Sequence, residues 1–336
     1  MRSLDACSLM NRPCLSWFLI FLASAAISGC TSDPHSLVRT TSDGVVSSGA
    51  IKRGRVATHF VSVQNYKGWA DTYLLSNGQV WAAIIPSIGR VMQFGFVNDE
   101  GVFWENPALL GHGMSTNPWT TPGSFGGDKT WPAPQSVWNW PPPDVFDRDA
   151  LMPRQEGHAI ILTSKVSPRF GIRTERTIEL DPDQPAMKIV TTYQKVEGDP
   201  VEVSVWVITQ ARNPQAMYLP IPVNSQFPDG FSKQWGIPTN FVSRDAKSIR
   251  FVRDPKVSHK IGNDSEQIVW QDEHHTLTIE SSRVPRATYP DEGCGMEIYT
   301  NGSTAEYVEL ETLGPLRRLA IGDRLSATNT YRLQRR

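Results

Sequence analysis

The sequence predicts an all-β fold, a large antiparallel sandwich or barrel, from three observations. Short runs rich in Val, Ile, Thr, Tyr and Trp recur along the chain, bounded by Gly, Pro, Asn and Asp. Val201–Thr209 alternates with period two: Val201, Val203, Val205 and Val207 share one face, and Glu202, Ser204 and Trp206 share the other. No window carries an amphipathic helix of about twelve residues or more, and 25 Gly, 25 Pro and 11 Trp in 336 residues suit a loop-rich β architecture.

An apolar share of 39% and a charged share of 20% exclude a largely disordered chain. The 33 basic and 34 acidic residues nearly cancel, and no basic block stands out, so the electrostatic footprint of a nucleic-acid binder is missing.

Taken in chain order, residues 1–29 are predicted to be a signal segment. The apolar run Leu15–Ala26 is too short for a mature membrane span, follows Arg12, and leads into Ile27-Ser28-Gly29-Cys30. That junction resembles the lipobox of bacterial lipoproteins, in which the cysteine is lipidated and becomes the new N-terminus. Asp5 and Cys7 are unusual for the start of such a signal, and Met10-Asn11-Arg12 would make a cleaner one. Thr31 stands where Asp would mark retention at the inner membrane, so the resemblance implies the outer membrane, facing the periplasm. With Cys7 and Cys14 removed and Cys30 lipidated, only Cys294 remains, and no internal disulfide can form. Residues 30–57 are Ser-, Thr- and Gly-rich with little periodicity and read as a flexible tether.

Residues 58–336 are expected to form one sandwich domain. Its predicted strands include Val80–Ile85, Ala159–Thr163, Ile172–Leu180, Met187–Tyr193, Val201–Thr209, Ile268–Trp270, Thr276–Glu280, Met296–Tyr299 and Tyr307–Leu313. Between them, Trp104–Phe146 holds five Trp, eight Pro and five Gly and reads as a long loop. Loops of that length are functional more often than they are idle, and five indoles would be costly to leave in water. They either offer flat faces to a ligand or cover one open end of the core.

Asn77-Gly78, Val80–Ile85 and then Ile85–Phe94 (IPSIGRVMQF) resemble the opening of galactose mutarotase-like domains. Phe125–Gln135 (FGGDKTWPAPQ) and Tyr307–Leu316 (YVELETLGPL) resemble more specifically an uncharacterised bacterial lipoprotein family within that group. The resemblance spans roughly residues 60 to 335 and implies a large antiparallel sandwich that binds carbohydrate.

Mutarotation needs a base for the anomeric hydroxyl and an acid for the ring oxygen. In the resembled enzymes the base is a Glu on a late strand. Tyr307–Leu313 places Glu309 and Glu311 on one face and Val308 and Leu310 on the other, so both carboxylates face either a cleft or plain solvent. Glu311 is the preferred base, nearest the Gly314-Pro315 turn. Glu297 and Tyr299 lie on the preceding strand, joined through Asn301-Gly302, and a strict two-residue turn there would set Glu297 opposite Glu306. The resembled enzymes carry their acid, a His, after a mid-chain strand, but Val205–Gln210 has none. Lys129 could replace it or donate to a sugar hydroxyl or carboxylate. Trp131 would stack on a sugar, with Trp206 beside it, and Arg90 could pair with an acidic ligand group or serve in a structural ion pair. His112 lies where these enzymes also carry a His, although an exposed loop residue is the commoner case.

Other constellations are weak. His274 and His275 point to opposite faces of a strand, and Asp144, Asp147 and Asp149 lack the spacing of a calcium loop. No metal and no cofactor is expected. The reading is a lipid-anchored carbohydrate-binding protein without efficient epimerase activity. An aldose 1-epimerase using Glu311 and a structural, partner-binding lipoprotein are the alternatives.

Overall fold

A computed structural model describes residues 59–113, 124–236 and 240–336. The signal, the tether and Cys30 lie outside the described residues, as does Trp119.

Two large antiparallel sheets make up the architecture. The first runs, in spatial order, β1 (Phe60–Tyr66), β2 (Trp69–Ser76), β3 (Val80–Ile85), β4 (Arg90–Phe96), β5 (Gly127–Ala133), β10 (Val201–Arg212), β19 (Tyr307–Leu313), β18 (Met296–Thr300), β15 (His259–Asn263) and β12 (Ser232–Trp235), with β20 (Arg317–Leu319) also pairing with β10. The second runs β13 (Val242–Arg244), β14 (Ser248–Phe251), β11 (Ala216–Pro220), β16 (Gln267–Gln271), β17 (His275–Glu280), β21 (Arg324–Arg335), β9 (Ala186–Lys195), β8 (Ile172–Leu180), β7 (Ala159–Val166) and β6 (Met152–Glu156).

Period-two patterning sets which face is inside. On β19, Val308 and Leu310 join Ile298, Ile261 and, from the second sheet, Leu277, Ile279, Tyr331 and Leu333 in one buried cluster. A polar contact also crosses this interior. Asp128 on β5 pairs with Arg176 on β8 and accepts from Tyr331 Oη at 2.5 Å and Thr209 Oγ1 at 2.7 Å, so the buried charge is matched and hydrogen-bonded. Glu309 and Glu311 therefore point out of the sandwich, on the outer face of the first sheet.

The Trp-rich segment is not one long loop, because β5 runs through its middle. Gly126 and Gly127 open that strand at φ of +100° and +68°. A Cβ at Gly126 would lie 2.0 Å from the Trp104 carbonyl oxygen, so neither a side chain nor an ordinary backbone angle fits there. Lys129 and Trp131 are thereby strand residues with fixed directions. The β18–β19 connection also differs from a two-residue turn. It spans residues 301–306, with Arg253 donating to the Asn301 and Ser303 carbonyls, and the longer loop sets Glu297 opposite Glu311 rather than Glu306.

Candidate functional site

The register aligns three rows of side chains on the outer face of the first sheet. Gly127, Gln210, Glu309, Tyr299, Lys260 and Trp235 are successive cross-strand partners from β5 to β12. One pleat away lie Lys129, Ile208, Glu311, Glu297 and Gly262, and beyond them Trp131, Trp206 and Leu313.

Lys260 sits between two buried carboxylates, its Nζ 2.6 Å from Glu297 Oε2 and 2.9 Å from Glu311 Oε2. Trp206 Nε1 donates to that same Glu311 oxygen at 2.6 Å, and its ring lies under the Lys260 ammonium at 4.7 Å. Burial pulls the Lys260 ammonium down, but Glu297 and Glu311 outweigh it and hold the group firmly protonated. Burial pushes the Glu297 carboxyl up to about 8, against the opposing pull of Lys260. Gly262 makes room for this pair, since a Cβ there would stand 2.8 Å from Glu297 Cγ and 2.7 Å from Cys294 Sγ.

Glu309 is the more open carboxylate, half-buried where Glu311 is fully buried. It accepts from Gln210 Nε2 at 2.9 Å. Burial and the neighbouring charge of Glu311 push its carboxyl up to about 7, the range in which a group both takes and gives protons at neutral pH. Beside it, Tyr299 donates to Ser258 Oγ at 3.1 Å, and the Trp235 ring stacks on Tyr299 at 6.1 Å with an interplanar angle of 14°.

A second polar knot forms around Asp147, on the single helical turn α1 (Asp144–Asp147) that follows β5. Its Oδ1 accepts from Lys129 Nζ at 3.1 Å, Trp131 Nε1 at 3.1 Å and Arg90 Nη2 at 3.3 Å. Burial pushes the Asp147 carboxyl up, but Lys129 and Arg90 outweigh that and hold it below the usual range. Burial in turn lowers both the Lys129 ammonium and the Arg90 guanidinium, against the pull of Asp147. Arg90 also donates to the Gly126 and Asp147 carbonyls and forms a buried ion pair with Asp147.

Trp131 is enclosed. Lys129 Nζ sits 3.8 Å from its ring centroid, Trp138, Trp140 and Trp206 meet it edge-on, and only 7% of the residue is accessible. Its ring packs rather than presenting a face to a sugar. His112 is exposed; its backbone N–H donates to the Leu109 carbonyl and its own carbonyl accepts from Trp69 Nε1. Of the aspartates weighed as calcium ligands, Asp144 pairs with Arg148 and Asp147 is taken by the cations above.

The fold thus brings Glu311, Glu309, Glu297, Tyr299 and Trp206 together, and it separates Lys129, Arg90 and Trp131 into the Asp147 knot. Lys129 and Glu311 share a row with Ile208 between them, two inter-strand gaps or about 10 Å apart along the sheet. The sequence pattern does not single out Lys260 or Gln210, and it raises Asp147 only as a weak calcium ligand. Lys260 lies in a short strand without clean alternation, and the partners of Gln210 and Asp147 are distant in sequence.

No family model and no curated protein matches the sequence. Solved structures do match. A galactose mutarotase-like protein from Lactobacillus casei ATCC 334 aligns at TM-score 0.52 and 10% identity, over 78% of this chain and 100% of that one. A galactose mutarotase-like protein from Clostridium acetobutylicum aligns at TM-score 0.52 and 9% identity, over 83% and 99%. A TPR-domain containing protein from Parabacteroides distasonis ATCC 8503 aligns at TM-score 0.55 and 13% identity, over 78% of this chain and 47% of that one. The fold is the galactose mutarotase-like sandwich. At these identities the likeness is one of fold, and the residues of the mutarotase-like outer face carry the functional argument on their own chemistry.

Proposed function

We propose that the chain is a lipid-anchored carbohydrate-binding protein of the periplasmic side of the outer membrane, with its sugar site on the outer face around Glu309. The observation that carries this reading is the row Gln210–Glu309–Tyr299, which sets an amide, a carboxylate and a phenol side by side. Sugar hydroxyls both donate and accept, and such a row answers both needs. The lipobox-like Ser28-Gly29-Cys30 and the following Thr31 support the anchor and its destination. The string Gly126–Pro134 supports the likeness to the bacterial lipoprotein family.

Efficient epimerase activity is not expected. The β10 residue facing Glu309 is Gln210, whose amide has no proton to give at neutral pH, and Lys129 is tied to Asp147. One observation favours the enzymatic alternative: carboxyls at about 7 and about 8 lie on this face. In that reading Glu309 is better placed than Glu311, one of whose oxygens is already taken by Trp206 and Lys260.

Saturation-transfer NMR with glucose and galactose tests the proposal. Binding should be seen and should weaken roughly ten- to a hundredfold in Glu309→Gln, the usual loss for a hydrogen bond to a charged group. Polarimetry on freshly dissolved α-anomers should match buffer, and an acceleration lost in Glu309→Gln would establish the enzyme instead. Binding that is absent, or unchanged in Glu309→Gln, would remove the site from this face.

A further inference from the structure

We propose that Trp235 and Tyr299 form a second sugar subsite, so that the natural ligand is an oligosaccharide or glycan chain rather than a free monosaccharide. This rests on the sugar reading of the Glu309 face and extends it along the sheet.

The row that contains Glu309 does not end at Lys260. It continues to Trp235 on β12, the last strand of the first sheet's path. Four inter-strand gaps separate Gln210 from Trp235, roughly 19 Å. A pyranose ring is about as wide as one such gap, so a single sugar beside Glu309 leaves the far end of the row unfilled.

That far end is built for a flat apolar partner. Trp235 is 51% exposed, although its strand neighbours Lys233 and Gln234 are polar. Large indoles left half in water are uncommon outside recognition surfaces. The ring is not loose, because it lies nearly parallel to Tyr299, and Tyr299 is anchored through its hydroxyl on Ser258. The pair is therefore a pre-oriented platform of the kind that receives the C–H face of a pyranose. Trp131 is enclosed and cannot do this. Trp235 offers to this row an indole that its surroundings leave accessible.

The subsite predicts a dependence on chain length. Isothermal titration of the full protein would compare glucose with maltotriose and cellotriose, and galactose with β-1,4-galactotriose. The trisaccharide of the preferred sugar should bind a few-fold to about tenfold tighter than its monosaccharide, the scale of one aromatic contact. Trp235→Ala should abolish that gain and leave the monosaccharide Kd unchanged, and Trp235→Phe should keep most of it. Circular dichroism of both variants should match wild type, as expected at an exposed position. Equal affinity for mono- and trisaccharide in the wild type, or a gain that survives Trp235→Ala, would overturn the subsite while leaving the Glu309 site standing. Failure of every sugar to bind, monosaccharides included, would remove the Glu309 reading and the subsite with it.

Discussion

Glu297 stands directly opposite Glu311 in the β18–β19 register, and one ammonium, Lys260 Nζ, lies within 3 Å of both. Like charges facing each other across a sheet destabilise it, so the pair depends on that cation. The register comes from the six-residue β18–β19 connection, and the cation comes from the neighbouring strand β15.

Removing the cation should be costly. Lys260→Met leaves two buried carboxyls without their counter-charge, and the expected loss is about 3–5 kcal/mol at pH 8. At pH 6 Glu297, whose carboxyl is pushed up to about 8, escapes part of that cost by holding a proton, so the loss should be smaller. Urea unfolding at the two pH values reads the difference, and equal losses would contradict it.

Glu309 should make the wild type less stable as pH rises. Its folded pKa of about 7 lies above the unfolded value, so the folded state binds more protons between about pH 4.3 and 7. Unfolding free energy therefore falls with rising pH through that window, and the penalty is complete above it. Glu309→Gln should flatten the profile and gain stability at pH 8 relative to pH 5. A parallel profile in the variant would refute this.

Asp147 has the opposite sign. Its folded pKa is depressed, so its contribution is fully present above the unfolded value and is lost as pH falls below about 4. Asp147→Asn leaves Lys129 and Arg90 without their shared carboxylate and should cost about 3–5 kcal/mol at neutral pH. A change within about 0.5 kcal/mol would mean that the knot contributes little.

Lipid attachment and processing should depend on Cys30. Cys30→Ala should leave unprocessed precursor and end incorporation of a clickable palmitate in cells. Labelling that persists in the variant would contradict the lipid anchor.

The fold was legible because the core writes itself into period-two patterns. Ile172–Leu180 and Tyr307–Leu313 have the bounds that alternation alone predicts, and the outward turn of Glu309 and Glu311 follows from Val308 and Leu310 facing in. β5 was hidden because Gly127, Pro132 and the polar Asp128, Lys129 and Thr130 leave it without an alternating apolar pattern, and its strand path is set by the Gly126–Gly127 backbone. The site was half legible. That β18 and β19 are neighbours follows from local pattern, but their register does not, because it depends on the six-residue connection that sets Glu297 opposite Glu311. Lys260 and Gln210 meet them only through the order of strands β10, β19, β18 and β15. Lys129 and Trp131 both donate to Asp147, a contact that no local pattern around them signals.

The most direct test is a carboxyl NMR titration of protein labelled with ¹³C at glutamate Cδ, with Glu309→Gln used to assign the resonance. The account predicts a Glu309 midpoint near 7, raised by burial and by the neighbouring charge of Glu311, and a shift of that signal when a binding sugar is added. A midpoint in the ordinary carboxylate range, with no response to a sugar that demonstrably binds, would place the ligand elsewhere and contradict the outer-face site.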